Sequence, residues 1–366
     1  MKKILHVVLS LDIGGLEKVL VNCVNQLNSS DYKHEIISLK GCSDSFKALL
    51  PSNINVTSFD KREGNDLSVY RKFFQYLRKN KPDVVQTYNL STLELQVIAF
   101  LCRVKTRIHA EHGRDIFDPE GKNKKYILLR KLVFTVTHHI VAVSNDLYQW
   151  LLKVVDVPAH KALLVVNGVD TSHFKPRLRQ SQNNILTFGH VGRLAEIKNQ
   201  QLLIESFSLA CEISDNFDKQ AQLLIVGEGP CKQQLVKLIE KHKLSDSIHL
   251  LGAKIDMLSE YHKLDVFLMS SLAEGIPMTL LESMSCGLVP VVTKVGGIPE
   301  VVSHENGILY ESEDAEALAN ILIHLIEDPE LVNKLGNSAR KTIVERFSEK
   351  AMVQAYDSLY QGAKQK

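Results

Sequence analysis

The sequence predicts an α/β protein built from two doubly wound, Rossmann-like parallel-sheet domains. Three observations carry this expectation. Short apolar runs of strand type alternate with amphipathic helical patterns along the whole chain. The length, 366 residues, exceeds one average domain and suits two. A polar, aperiodic stretch over residues 173–184 separates two successive sets of strand–helix units. The expected partition is residues 1–172 and 173–347, with ligands bound beyond the strand C-termini in an interdomain cleft.

In order, K-I-L-H-V-V-L is an uninterrupted apolar run, as a strand buried on both faces requires. It imitates a signal peptide, but His6 and Asp12 interrupt it and no small-residue cleavage site follows. D-I-G-G-L-E-K-V-L-V-N-C-V-N-Q-L is a glycine turn opening an amphipathic helix. H-E-I-I-S-L-K and I-N-V-T-S-F read as strands. Residues 67–79 predict a helix whose Tyr70, Phe73, Phe74 and Leu77 fall at i, i+3, i+4 and i+7, a stripe expected in the core. K-P-D-V-V-Q-T-Y, T-R-I-H-A-E-H-G, I-V-A-V-S and A-L-L-V-V-N-G-V-D complete the first set. The second set runs I-L-T-F-G-H-V-G-R-L, Q-L-L-I-V-G-E-G-P, S-I-H-L-L-G, L-D-V-F-L-M-S-S, L-V-P-V-V-T and G-I-L-Y.

Composition narrows the class. Six cysteines, Cys23, Cys42, Cys102, Cys211, Cys231 and Cys286, lie scattered without C-x-x-C, as expected of reduced thiols in a cytoplasmic protein. No apolar run approaches the ~18 residues needed to span a bilayer. Residues 1–180 carry 27 Lys+Arg against 17 Asp+Glu, and the remainder 17 against 25. The basic half is expected to meet an anionic partner, and a lipid phosphate or membrane surface suits it better than nucleic acid.

Residues 273–287, A-E-G-I-P-M-T-L-L-E-S-M-S-C-G, hold two carboxylates, Glu274 and Glu282. Pro277 stands where a helix would begin and Gly287 where it would end. Glu274 is then a loop residue and Glu282 a helical one, sharing a face with Thr279. Free amides near Met278 and Thr279, backed by the helix dipole, would cradle an anion. Carboxylates for hydroxyls beside an anion cradle suit a nucleotide-activated sugar.

The composite E-G-I-P…L-E-S-M-S-C-G-L-V-P-V-V-T-K-V-G-G-I-P-E resembles glycosyltransferase family 4, the retaining enzymes of GT-B fold. The resemblance implies a hexosyltransferase whose C-terminal half binds a nucleotide-diphosphate sugar. Its N-terminal half would bind a glycan or polyprenyl-phosphate-linked acceptor. Glu274, with the amides of Gly275 and Ile276, would hold sugar hydroxyls, and Glu282 the ribose. Arg193 and Lys198, in G-R-L-A-E-I-K-N, match the family's phosphate-binding pair and would stabilise the departing phosphate. Gly14 and Gly15 resemble the family's Gly-Gly loop near the acceptor and the donor phosphates. His112, in A-E-H-G, matches a sugar-positioning residue, with Glu111 and Arg114 as neighbours. Gly227 and Gly229 match a structural strand-end turn, and Ile255 a contact to the nucleobase, whose identity stays open. No D-x-D occurs, so neither a metal nor another cofactor is expected. The family also implies that residues 348–366 return to the first domain.

R-D-I-F-D-P-E-G-K-N-K-K-Y is similar to a subgroup linked to bacterial exopolysaccharide assembly. Within and after it, Lys122, Lys124, Lys125, Arg130 and Lys131 flank Tyr126, Ile127, Leu129 and Leu132. This basic amphipathic stretch suits the inner face of the cytoplasmic membrane or, equally, a solvated helix packed on the core. Two rival functions are a sugar-nucleotide 2-epimerase of the same fold and a non-catalytic sugar- or lipid-binding module.

Overall fold

The computed structural model describes residues 1–11, 14–27, 31–64, 66–114, 118, 120–177 and 185–362. They form two compact units, one of Met1–Asn167 with the segment from Glu349, the other Gly168–Ser348. Each contains one sheet in which every ladder is parallel.

The first sheet comprises β1 (Lys2–Val8), β2 (Tyr32–Ser38), β3 (Asn55–Ser58), β4 (Val84–Tyr88), β5 (Thr106–Glu111), β6 (His139–Ala142) and β7 (Ala162–Leu164). The second comprises β8 (Leu186–Val191), β9 (Ala221–Val226), β10 (Ile248–Gly252), β11 (Val266–Met269), β12 (Val289–Thr293) and β13 (Ile308–Tyr310). Each run expected to be a strand contains one. Every residue of β4, β11 and β12 is buried; β11 and β12 are nearly continuous in apolar residues for that reason, and the polar Gln86 and Thr87 of β4 are hydrogen-bonded inside.

The orders are β3-β2-β1-β4-β5-β6-β7 and β10-β9-β8-β11-β12-β13. Both reverse direction beside the first strand, between β1 and β4 and between β8 and β11. Connections leave for opposite faces at such a point, which opens a crevice at the strand C-termini.

Three expectations need correction. Phe74 is 46% exposed, whereas Val69, Phe73 and Leu77 fill the core. The inward stripe of helix Ser68–Asn80 therefore runs through 69, 73 and 77, and Phe74 lies one position round the helix. The chain divides after Asn167, not at 173. Val169 pairs with Ser348 across a parallel bridge, and Phe174 packs its ring 5.9 Å from Tyr261. Arg177 bonds Asp265 at 2.8 Å, so residues 173–177 belong to the second unit rather than to a free linker, while 178–184 lie outside the described residues.

Helix Glu349–Gln361 joins the first unit beside helix Gly15–Leu27. Tyr360 donates to Gln86 Oε1 at 2.6 Å, and Lys2 Nζ donates to the Gln361 carbonyl at 2.9 Å. Below them a fully buried His6 spans Tyr88 Oη at 2.9 Å and His34 Nδ1 at 3.0 Å. None of the six cysteines forms a disulfide. Among the described residues, no helix is long and apolar enough to cross a membrane.

Candidate active site

In the second unit, the loops leaving β8 and β11 meet at the crevice. Lys198 Nζ and the Glu274 carboxylate form a direct, largely enclosed ion pair. The backbone explains why they meet. Ser270 Oγ lies 3.0 and 2.7 Å from the Lys198 and Asn199 carbonyl oxygens, and Leu272 N donates to the Ile197 carbonyl at 2.9 Å. Thr293 Oγ1 holds the Ser271 carbonyl at 2.8 Å from the end of β12.

Glycines let further loops close on this pair. Gly296 has φ +52°, and a Cβ there would overlap the Glu274 carbonyl oxygen. Gly227 and Gly229 press on the Gly192 and Leu194 carbonyls in the same way. Gly192 N donates to Val226 O at 3.0 Å and Leu194 N to Glu228 O at 2.9 Å, so the β9 turn clamps the Arg193 loop. Arg193 itself is exposed at the head of that loop.

Helix Met278–Ser285 starts after Pro277, which contributes no side-chain cap, and ends before Gly287 at φ +78°. The Met278 side chain is core, which leaves only its backbone for a ligand, and Thr279 is half-buried. Glu282 is 1% exposed and accepts a 2.7 Å hydrogen bond from the buried Tyr261 hydroxyl. Burial first, then this carboxylate, drives the Tyr261 pKa well upward. Burial and Glu282 likewise push the Cys286 thiol up to about 12, so it stays protonated. Ile255 is 73% exposed on the loop leaving β10, two strands from β8. No bond in the Lys198–Glu274 cluster reaches it.

In the first unit, Gly14 lies at the start of helix Gly15–Leu27, whose Lys18 N bonds the Gly14 carbonyl at 3.0 Å. His112 follows β5. Its backbone N–H donates to Asn89 Oδ1 at 2.7 Å, and its ring lies 5.6 Å from that of Tyr88. The Nε2 atom is buried without a protein partner. Burial lowers the pKa to about 4, so the ring is neutral near pH 7. Arg114 is already engaged, 2.8 Å from Asp146 Oδ2.

Glu111 points inward. Arg130 Nε and Nη2 bond its two oxygens at 2.7 and 3.2 Å, and His109 Nε2 lies 3.4 Å from Oε1. The guanidinium also sits 5.0 Å from the Trp150 ring centroid. Burial alone would raise the Glu111 pKa; Arg130 and His109 outweigh it and leave it at about 2. Arg130 is therefore a core residue, not one of the surface cations expected on helix Lys124–Thr135.

The structure thus joins Lys198 with Glu274 and braces the Arg193 loop beside them. Asn89 beside His112 in the first unit, and His190, Gln200 and Tyr261 in the second, also hold site residues, and none of the four lies in a site motif singled out above. Asn89 carries a readable signal, an Asn directly after a strand end; its φ is +54°.

Residues 13–173 match the family described as Glycosyltransferase Family 4, and residues 170–342 match Glycosyl transferases group 1. The chain is 31% identical to the N-acetyl-alpha-D-glucosaminyl L-malate synthase of Bacillus anthracis, over 81% of this chain and 78% of that one. It is 26% identical to the Escherichia coli UDP-Gal:alpha-D-GlcNAc-diphosphoundecaprenol alpha-1,3-galactosyltransferase, over 98% and 96%. Anabaena Alr3699/HepE, solved in complex with UDP and glucose, superposes with a TM-score of 0.82 at 22% identity, over 99% and 100%.

Proposed function

This chain is a glycosyltransferase of family 4 with the GT-B fold, and from that premise we propose that it is retaining and metal-independent, moving a hexose from a nucleotide-diphosphate sugar to a lipid-linked glycan. The observation that carries the donor reading is the Lys198–Glu274 pair at the β8/β11 crevice, with Arg193 on the adjoining loop. One cation and one carboxylate held together suit the junction of phosphate and sugar in such a donor.

In this reading Arg193, Lys198 and the amides at the start of helix Met278–Ser285 take the diphosphate. Glu274 and the Gly275–Ile276 backbone take the sugar hydroxyls. His112 offers its unpartnered Nε2 to the sugar, Gly15 meets the donor phosphates, and Gly14 and Arg114 serve the acceptor side. Glu282 takes the ribose, which requires its covered carboxylate to open on binding. Ile255 borders the base. The acceptor oxygen bonds to the anomeric carbon as the carbon–phosphate-oxygen bond breaks. The electron pair goes to the phosphate, which also takes the acceptor proton.

The E. coli relative acts on a diphosphoundecaprenol-linked sugar, which supports a lipid-linked acceptor and a role in bacterial cell-surface polysaccharide assembly. Work on such an acceptor would hold the enzyme peripherally at the cytoplasmic face of the membrane. Helix Lys124–Thr135 supports this: Leu128 and Leu132, one turn apart, are 58% and 60% exposed beside the exposed Lys124, Lys125 and Lys131.

A thermal-shift screen with UDP, GDP, ADP and their sugars tests the donor reading. A ligand at one hundred times its Kd stabilises by ~2.7 kcal/mol, so one base should raise the melting temperature by several degrees. No rise with any of them overturns the reading.

A further inference from the structure

We infer that His190 and Gln200 are positioning residues that aim the Arg193 loop at the donor diphosphate; this rests on the donor reading above. His190 is the penultimate residue of β8 and is fully buried. Its Nδ1 lies 2.9 Å from the Leu268 carbonyl oxygen on neighbouring β11. A carbonyl only accepts, so Nδ1 carries the proton and Nε2 of the neutral ring is an acceptor. Nε2 lies 3.1 Å from the side-chain nitrogen of Gln200. The same nitrogen donates its other hydrogen to the Arg193 carbonyl at 2.9 Å.

Both neighbours of this amide nitrogen are acceptors, so the amide has one workable orientation. The result is a directional chain from the Leu268 carbonyl through His190 and Gln200 to the backbone of Arg193. It crosses between the two strands that bound the crevice. Gln200 is buried at the first turn of helix Gln200–Ile213, so its side chain has a rigid base. Gly192 passes close over the ring, where a Cβ would stand 3.0 Å from Nε2. Burial holds the His190 pKa down at about 4, the Leu268 carbonyl opposing it, so the single tautomer persists at neutral pH.

None of these atoms needs to touch the donor. Their effect is to prevent the Arg193 peptide from turning, which would carry the guanidinium away from the phosphate. A loop aimed in advance loses less entropy on binding and has its cation in place as charge develops.

The test uses the full chain and calorimetric titration of UDP, GDP and ADP against uridine, guanosine and adenosine. Gln200→Met keeps the length and removes both donated hydrogens. His190→Phe keeps Gln200 but removes the acceptor that orients it. In folded variants, diphosphate affinity should fall about three- to tenfold, the equivalent of one neutral hydrogen bond, with nucleoside affinity unchanged. Turnover should fall with the diphosphate affinity while the acceptor KM holds. Wild-type affinity and turnover in a folded variant overturn the inference, and so does an equal loss for nucleoside and diphosphate. If neither variant folds, nitrogen NMR of the wild-type imidazole decides: an Nδ1–H tautomer supports the chain and an Nε2–H tautomer breaks it. A wild type that binds no diphosphate removes the donor reading itself.

Discussion

Removing Lys198 would leave the Glu274 carboxylate largely enclosed and without its counter-charge. Lys198→Ala should therefore lower both stability and turnover, whereas Arg193→Ala, at an exposed position, should lower turnover alone. Loss of a group that stabilises developing charge typically costs ~10²–10³ in kcat, and melting curves run beside saturating-donor kinetics separate the two effects. Wild-type rates in folded Arg193→Ala would remove its phosphate assignment. Arg130 presents the opposite case, a cation with a structural task. Arg130→Met strands a buried carboxylate and should cost ~3–5 kcal/mol in denaturant unfolding, much of it recovered by adding Glu111→Gln. The folded pKa of Glu111, about 2, lies below its unfolded value, so its contribution is present above the ordinary Glu range and is lost as pH falls from there through about 2. His112, with its pKa lowered to about 4, contributes no ionisation to the rate between about pH 5 and 8, the range where an unperturbed histidine would titrate.

At the scale of the element, helix Met278–Ser285 and the two loops beside it behave as one assembly. Gly296 belongs to the loop after β12, yet its missing side chain is what admits the Glu274 backbone. Gly296→Ala adds a strained φ and an overlap, which should cost ~1–3 kcal/mol and displace Glu274. The expected readout is a rise in donor KM together with a lower melting temperature; an unchanged KM would separate this loop from the donor site. The amphipathic helices show where periodicity misleads. Spacing i, i+3, i+4, i+7 selects a helix face, but a face is about 100° wide and its edge is set by what packs there. Phe74 lies past that edge in helix Ser68–Asn80, and Arg130 lies inside it in helix Lys124–Thr135. The exposed Leu128 and Leu132 should matter for lipid: Leu128→Ser with Leu132→Ser should reduce flotation with anionic vesicles and leave stability unaltered. Equal flotation of variant and wild type would remove the lipid surface from this helix.

At the scale of the molecule, the order of chemistry along the chain follows from two sheets of the same winding. Each puts its first βα loop at a point of reversal, with the Gly14–Gly15 turn after β1 and Arg193 after β8. The first unit is closed only by the far end of the chain. Tyr360 is buried and bonded to Gln86, hundreds of residues away in sequence. Tyr360→Ala should open a cavity in a polar cluster and cost ~3–5 kcal/mol, read as a lower denaturant midpoint for the first unit. A midpoint equal to wild type would mean that the terminal helix contributes nothing to that unit. The return of this segment was expected from the family resemblance, and no local pattern in residues 348–366 announces it.

The sequence by itself determined the thirteen strands of the described residues, their grouping into two sheets, and the loops that carry Glu274, Arg193 and His112. Those properties are local, because a strand buried on both faces needs an unbroken apolar run and a helix start needs its own Pro or Gly. Only the tertiary structure decided the partners: Lys198 with Glu274, Arg130 with Glu111, and His190 with Gln200 beneath the Arg193 loop. Partner choice depends on which loops the strand order places side by side. A Lys in one loop and a Glu 76 residues later carry no mark in the sequence that they will meet.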